Sequence, residues 1–239
     1  MPVQLKNVKA IVAGGTGAVG EGIVKALMRE GATVIVPVRD IRKADNLKDF
    51  VSGLKKGELH IIPANISDYQ SARAFFDKAI ADFNKIDIAV AALGGFYRGG
   101  RLDQVPISEW NSVLQNNLTS HFIFGSLAMN HFYQSKSGML VQINSSAMEN
   151  IQTGQGIISM TANAEKTMSL IFANEARGTN VRVYCVALLT PVKTRARGKN
   201  VRPNWISADQ AGQYIIRLFR KKALDIDQPV HLLTSAEQI

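Results

Sequence analysis

The sequence predicts an α/β fold: a Rossmann-type, doubly wound parallel sheet of about seven strands with helices on both faces. Two observations lead to this fold class. Seven short apolar runs alternate with amphipathic stretches of helix length, which is the pattern of repeated strand–helix units. Several of these runs consist of Val, Ile and Ala with no polar residue at alternate positions, as in strands that are buried on both faces.

The elements follow one another in regular order along the chain. The predicted strands are residues 8–13, 33–38, 59–62, 86–91, 139–143, 181–187 and 230–233. The predicted helices are residues 20–30, 41–52, 69–83, 108–133, 156–175 and 207–220. Right-handed crossovers place such helices on both faces of the sheet. Because the chain contains no repeat and no long linker, we expect residues 1–239 to form a single nucleotide-binding domain.

Composition excludes several classes of protein. The single cysteine, Cys185, lies in an apolar strand and cannot form an internal disulfide, so we expect it to be a buried core residue. No group of Cys and His has metal-ligand spacing, and we expect no metal site. The start of the chain lacks the pattern of a signal peptide, and no apolar run reaches the ~18 residues of a membrane span. We therefore expect a cytoplasmic protein that does not bind membranes.

The chain is basic: 28 Lys and Arg stand against 19 Asp and Glu, a formal net charge of +9. The basic residues are scattered, with local clusters at 39–43, 193–202 and 217–222, and no stripe interleaved with aromatic residues is present. An anionic small ligand that carries several phosphates accounts for this excess more simply than nucleic acid does. Nucleic-acid binding is the weakest of the functional alternatives.

A glycine-rich turn follows the first strand and opens the first helix, which is the context that a phosphate-binding turn requires. Glycine lets the backbone approach a pyrophosphate, whose charge is stabilised by free N–H groups and by the helix dipole. We therefore predict a dinucleotide site at this turn. The residues expected to form it are Gly14, Thr16, Gly17, Ala18, Val19 and Gly20.

The end of the second strand bears on which dinucleotide binds. An NAD site usually has an acidic residue there to hold the ribose hydroxyls, but Val38 occupies that place. Arg39 follows it, with Arg42 and Lys43 behind, and an arginine can bind a 2′-phosphate through charge-assisted hydrogen bonds. The sequence favours NADP(H) over NAD(H), the alternative being a solvated basic helix start.

With these motifs the chain resembles the short-chain dehydrogenase/reductase family over nearly its whole length. Gly14, Gly17 and Gly20 fit the Gly-x-x-Gly-x-x-Gly form of the family's opening motif. Asn117 matches the family's helix asparagine, and Ser145 and Ser146 follow a strand similar to the one that carries the catalytic serine. The resemblance implies hydride transfer between a nicotinamide cofactor and a carbonyl or alcohol. It leaves open which of the two serines faces the site.

The resemblance also implies further cofactor contacts. Asn65 and Ile66 follow the third strand, where the family usually has an Asp beside adenine. Gly94 is the one residue that matches the family's Asn-Asn-Ala-Gly strand end. Thr194 lies in a segment similar to the one whose threonine contacts the nicotinamide amide. The helices at 108–133 and 156–175 correspond to the family's dimer interface, which implies a homodimer or homotetramer.

The family's proton donor is missing. Reduction of a carbonyl needs a proton, normally from a tyrosine whose pKa is lowered by a lysine four residues later. The matching positions are predicted to be Met160 and Ala164, which can neither donate a proton nor carry charge. None of the five tyrosines is followed four residues later by lysine. A different alignment therefore does not restore the pair.

Four residues are candidates to replace the missing proton donor. Tyr97, in the glycine-rich loop after the fourth strand, is the best candidate acid, since ligands bind at the carboxyl edge of such a sheet. Lys166 is expected to be a surface lysine, His121 a packed or interface histidine, and Glu149 a solvated loop carboxylate. Two functions stay open: an NADPH-dependent oxidoreductase on a small carbonyl, alcohol or conjugated alkene, and an inactive pseudoenzyme that binds cofactor or a partner.

Overall fold

The computed structural model describes residues 5–239 and contains one parallel sheet of seven strands. The strands are β1 (Lys9–Ala13), β2 (Thr33–Val38), β3 (Glu58–Pro63), β4 (Ile88–Ala91), β5 (Gly138–Ser145), β6 (Val181–Leu188) and β7 (Val230–Leu233). Their order in the sheet is β3-β2-β1-β4-β5-β6-β7. The predicted Rossmann-type fold is confirmed, and the strand bounds lie within about two residues of those predicted.

Seven helices flank the sheet in the described part of the chain. They are α1 (Gly20–Arg29), α2 (Ile41–Val51), α3 (Tyr69–Phe83), α4 (Ile107–Val113), α5 (Ser120–Ser135), α6 (Gly156–Glu175) and α7 (Ala208–Phe219). Helices α1, α2 and α7 pack with one apolar cluster, and α3 and α5 pack with another on the opposite face. Large side chains such as Ile11, Phe75 and Phe124 are almost completely buried, each stabilising the fold by about 1.5–3 kcal/mol.

One helix that the sequence predicts to be continuous is interrupted in the structure. Residues 108–133 were expected to form a single helix, but a π-helical turn at Leu114–Thr119 separates α4 from α5. The Asn117 side chain within this turn bonds to the loop after β4 through both its oxygen and its nitrogen. Periodicity does not reveal such a wide turn, because the apolar pattern continues through it. Turns of this kind often occur at functional sites.

The strand order locates the ligand-binding edge. Strand β1 pairs with β2 on one side and with β4 on the other, so the direction of winding reverses between β1 and β4. In open α/β sheets, ligands bind outside the carboxyl ends of the strands at this reversal. The loops after β1, β2 and β4 therefore frame the candidate site.

Across residues 5–239, no helix combines the length and apolar character that a membrane span needs. Cys185 lies in β6 and is completely buried, as predicted.

Candidate dinucleotide site

A crevice with a volume of about 640 Å³ opens at the carboxyl ends of β1, β2 and β4. Nine of the residues predicted from the sequence line it together: Gly14, Thr16, Gly17, Arg39, Asn65, Ile66, Gly94, Tyr97 and Asn117. They come from five separate parts of the chain. The fold thus gathers the glycine-rich turn, the end of β2, the loop after β3, the loop after β4 and the π-helical turn into one site.

Six other predicted residues lie outside the lining of this crevice: Ala18, Val19, Gly20, Ser145, Ser146 and Thr194. Ala18 is exposed on the turn, and Gly20 is buried at the start of α1. Ser145 and Ser146 lie beyond β4, at the end of β5. Thr194 lies further along the same edge, in the segment between β6 and α7. All six lie in or next to the segments that follow the carboxyl ends of β1, β5 and β6.

The glycine-rich turn is shaped by its own backbone. Gly14 has φ +78°, and a Cβ there would lie 2.0 Å from the carbonyl oxygen of Ala92. A Cβ on Gly20 would lie 2.0 Å from the carbonyl oxygen of Gly14. No side chain caps the start of α1. The helix N-terminus is therefore bare, and its amides and dipole are suited to an anion such as a pyrophosphate.

The end of β2 presents positive charge to the crevice. Val38 is buried, whereas Arg39, Asp40 and Lys43 line the crevice. The Asp40 carboxylate caps α2 and accepts bonds from the backbone and guanidinium of Arg42. The Arg42 hydrogen bonds lower the pKa of Asp40. The one acid at this strand end is thus engaged by Arg42, while Arg39 makes no ion pair within the described residues.

The loop after β3 is held in place by hydroxyl and amide bonds. The Asn65 Oδ1 atom accepts from the Ser67 backbone N–H at 3.2 Å and from the Ser67 hydroxyl at 2.7 Å. The Asn65 backbone N–H donates to the Ser71 hydroxyl. Gln115, from the π-helical turn, donates to the Ser67 carbonyl. Asn65 and Ile66 are thereby fixed in the wall of the crevice.

At the other end, Asn117 fixes the loop after β4. Its Oδ1 atom accepts from the Gly95 N–H at 3.1 Å, and its Nδ2 atom donates to the Gly95 carbonyl at 3.0 Å. Gly94 has φ +99°. Tyr97 follows, half-buried, and packs beside a small apolar cluster that includes Met148 and Ile157. Its hydroxyl has no hydrogen-bond partner within the described residues and lies next to Gly99, where an added Cβ would be 2.2 Å from it.

Helix α6 does not bring its predicted residues into the crevice. Met160 is 48% exposed and lies outside the crevice lining. The neighbouring Ser159 is buried, and its hydroxyl has no partner within the described part of the chain. Two of the candidate proton donors pair with each other: the Lys166 ammonium lies 3.2 Å from the Glu149 carboxylate, so the charge of each is neutralised by the other. Of the four candidates, Tyr97 alone lines the crevice.

Behind the crevice wall is a buried polar pair that the sequence did not predict. His121 on α5 lies 3.9 Å from Glu165 on α6, measured between Nε2 and Oε2, and the same Nε2 lies 3.5 Å from the Leu93 carbonyl. Burial lowers the pKa of His121 to about 4 and raises the pKa of Glu165 well above its usual value. Burial therefore disfavours the charged form of both groups.

The buried histidine makes the protein sensitive to acid. The pKa of His121 is about 4 in the folded chain and 6.5 when unperturbed, so the unfolded chain binds more protons between these pH values. Stability from this group is present above pH 6.5 and is lost as pH falls, by about 3 kcal/mol in total. We therefore expect the difference in unfolding free energy between His121→Gln and the wild type to shift in favour of the variant by about 3 kcal/mol when the pH falls from 7 to 4.

Urea unfolding of both proteins at both pH values measures this double difference. The His60→Gln variant, which changes an exposed histidine, is the matched control. An equal stability difference at the two pH values would show that His121 titrates normally.

Comparison with known proteins agrees with this geometry. The short chain dehydrogenase family profile matches residues 8–204. An uncharacterised oxidoreductase, YvrD of Bacillus subtilis, is 30% identical over 248 aligned residues, covering 100% of this chain and 89% of that protein. A 3-oxoacyl-(acyl-carrier-protein) reductase of Chlamydia pneumoniae is 26% identical over 223 residues, covering 89% of this chain and 86% of the relative.

Solved structures show the same fold. A short-chain type dehydrogenase/reductase from Mycobacterium ulcerans superposes with a TM-score of 0.85 at 18% identity, over 99% of this chain and 91% of that one. A metagenomic short-chain oxidoreductase in complex with NADP superposes with a TM-score of 0.82 at 21% identity, over 96% and 98%. Fold and topology define a Rossmann-type α/β protein. Within that class, this chain belongs to the short-chain dehydrogenase/reductase family.

Proposed function

We propose that the protein is an NADP(H)-dependent oxidoreductase that acts on a small carbonyl compound, alcohol or conjugated alkene. The observation that carries the proposal is the crevice itself, where a bare glycine-rich helix start and the cationic end of β2 line the same cavity. A pyrophosphate fits the first feature and a 2′-phosphate fits the second. The name of one relative, a reductase of a 3-oxoacyl thioester, supports carbonyl chemistry.

Each part of the crevice has a role in this proposal. When bound, the nicotinamide cofactor supplies or accepts the hydride. The backbone of the glycine-rich turn holds its pyrophosphate, and Asn65 and Ile66 flank its adenine. Asn117 positions the loop after β4 through Gly95, and this loop carries Tyr97. The Tyr97 hydroxyl donates the proton to the substrate oxygen, while Ser145 or Ser146 orients the substrate.

Arg39 is the residue on which the choice of cofactor depends. We expect Arg39→Ala to weaken NADPH binding about 10- to 100-fold, because charge-assisted hydrogen bonds contribute roughly 1.5–3 kcal/mol. NADH lacks the 2′-phosphate, so its dissociation constant should stay the same. Titration calorimetry with both nucleotides measures the effect. Lys55→Ala, an exposed cation at the amino edge of the sheet, is the matched control. Tighter binding of NADH than of NADPH that survives Arg39→Ala would contradict the proposal.

A second candidate function is a pseudoenzyme that binds the cofactor or a protein partner without catalysis. It is favoured by the absence of any tyrosine four residues before a lysine and by the exposed position of Met160 outside the crevice. A panel of carbonyl and enone substrates incubated with NADPH separates the two candidates. Oxidation of NADPH with any of them supports the enzyme. Tight NADPH binding with no oxidation across the panel supports the pseudoenzyme.

We also propose a homodimer or homotetramer in the cytoplasm. Exposed apolar side chains lie on α5 and α6, the helices that relatives of this family use for assembly: Phe122, Tyr133, Leu170 and Ile171. Burying such side chains against a second copy removes them from water. Light scattering tests the assembly, and a monomeric mass would contradict it.

A further inference from the structure

The segment between β6 and α7, residues 190–204, lies along the carboxyl edge of the sheet. The Lys193 N–H donates to the Ile206 carbonyl at 2.8 Å, which holds one end of the segment against the start of α7. The Arg195 guanidinium binds the Glu21 carboxylate through two bonds of 3.1 and 2.7 Å. Because Glu21 is in the first turn of α1, the segment reaches from the end of β6 to the glycine-rich turn.

The segment carries a concentrated positive charge. It contains five basic residues and no Asp or Glu. Glu21 neutralises Arg195, but no ion pair engages the other four within residues 5–239: Lys193, Arg197, Lys199 and Arg202. Elsewhere, many basic side chains do have carboxylate partners, among them Arg29, Lys48, Lys78, Arg101, Lys166 and Arg220. Arg39, Lys43 and Arg98 also make no ion pair within residues 5–239, so this segment adds four further unneutralised charges to the ligand-binding edge.

The two neighbouring loops, after β4 and after β5, each expose a large apolar side chain. Phe96, in the loop after β4, is 79% exposed and lines the crevice, and Ile151, in the loop after β5, is 82% exposed. A hydrogen bond of 2.9 Å from the Gly99 N–H to the Gly154 carbonyl joins these two loops. Since β4, β5 and β6 are adjacent in the sheet, these two exposed apolar side chains and the basic segment lie along the same edge.

From this arrangement we propose that the substrate is an amphipathic anion, with an apolar body against the loops after β4 and β5 and an anionic group bound by the basic segment. The inference rests on the proposed function, because it concerns the substrate of the same crevice. An apolar ligand that covers Phe96 and Ile151 removes both side chains from water, which favours its binding. Lys199 and Arg202 are the side chains that can bind a carboxylate or phosphate through charge-assisted hydrogen bonds, because the Lys193 Nζ atom already donates to the Pro203 carbonyl at 2.7 Å.

The test is calorimetric titration of the NADPH-saturated protein with octanoate and with octanamide, which share a chain and differ in charge. We expect octanoate to bind about tenfold more tightly. The double variant Lys199→Gln/Arg202→Gln should lose this preference and leave the octanamide affinity unchanged. Lys55→Gln/Lys56→Gln, which removes the same charge at the amino edge of the sheet, should keep the preference.

Equal affinity for the two ligands, binding of neither, or a preference that survives in Lys199→Gln/Arg202→Gln would each overturn the inference. So would a loss of NADPH affinity in that variant, because the basic segment would then serve the cofactor's phosphates. NADPH is first titrated into the wild type in the absence of octanoate and octanamide. If NADPH does not bind, the result counts against the proposed function. Titration of the nucleotide-free protein with octanoate and octanamide then still tests the preference for the anion.

Discussion

Gly14→Ala is expected to destabilise the fold by about 3–5 kcal/mol and to abolish dinucleotide binding. The new Cβ would lie 2.0 Å from the Ala92 carbonyl oxygen and 2.7 Å from its carbonyl carbon, both of them backbone atoms of the loop after β4. The φ of +78° adds conformational strain for any residue other than glycine. The turn and the end of β4 must therefore separate, and these are the two walls between which the crevice opens.

Urea unfolding and NADPH calorimetry measure the two effects. Gly53→Ala is the matched control, because no atom lies within 4 Å of its new Cβ, and its stability should change by less than about 1 kcal/mol. Gly17→Ala separates folding from binding. Its Cβ meets only the Gly14 carbonyl oxygen, at 3.1 Å, so the fold should persist while the methyl group occupies the cradle. Unchanged NADPH affinity in Gly17→Ala would mean that the turn does not hold the pyrophosphate.

The sheet could be predicted closely because its strands carry a strong local signal. The run at 33–38 is buried at every position, as its lack of polar alternation indicates. The helices were predictable where one face is apolar and a capping residue marks the start, as Asp40 does for α2 and Ser207 for α7. Such signals depend on residues near each other in sequence, so a single chain displays them.

The features that the sequence did not predict depend on contacts between distant residues. The π-helical turn goes with the bonds between Asn117 and Gly95, which are 22 residues apart. The buried contact between His121 and Glu165 forms only when α5 packs beside α6. A glutamate in a helix usually indicates a solvated face, and nothing in the local pattern around Glu165 marks it as buried.

The residues of the candidate site likewise fall into those that local sequence patterns predict and those that depend on contacts between distant parts of the chain. The glycine-rich turn and Arg39 could be identified because their motif and its strand–turn–helix context are local. The proton donor could not be assigned from the sequence, because the family's spacing is absent and position along the chain does not show which side chains meet at the crevice. The structure reduces the candidates by placing Tyr97 in the crevice lining and by pairing Lys166 with Glu149.

Tyr97→Phe is therefore expected to lower kcat by about 10²- to 10⁴-fold, the contribution of a positioned general acid. The substitution removes only the hydroxyl oxygen, and the ring keeps its contacts with the apolar cluster around Val113 and Met148. The NADPH dissociation constant should change less than about twofold, since the predicted cofactor contacts lie elsewhere in the crevice. Steady-state oxidation of NADPH with the best substrate of the carbonyl panel gives kcat, and calorimetry gives the affinity.

Tyr133→Phe is the matched control, because Tyr133 lies on α5 outside the crevice and is 41% exposed. A kcat in Tyr97→Phe equal to that of this control would show that another group or water supplies the proton. A loss of kcat together with a loss of NADPH affinity would instead show that Tyr97 maintains the shape of the crevice. A loss of kcat alone, with the nucleotide still bound, identifies the hydroxyl as the acid. It would also explain how a member of this family can work without the tyrosine–lysine pair.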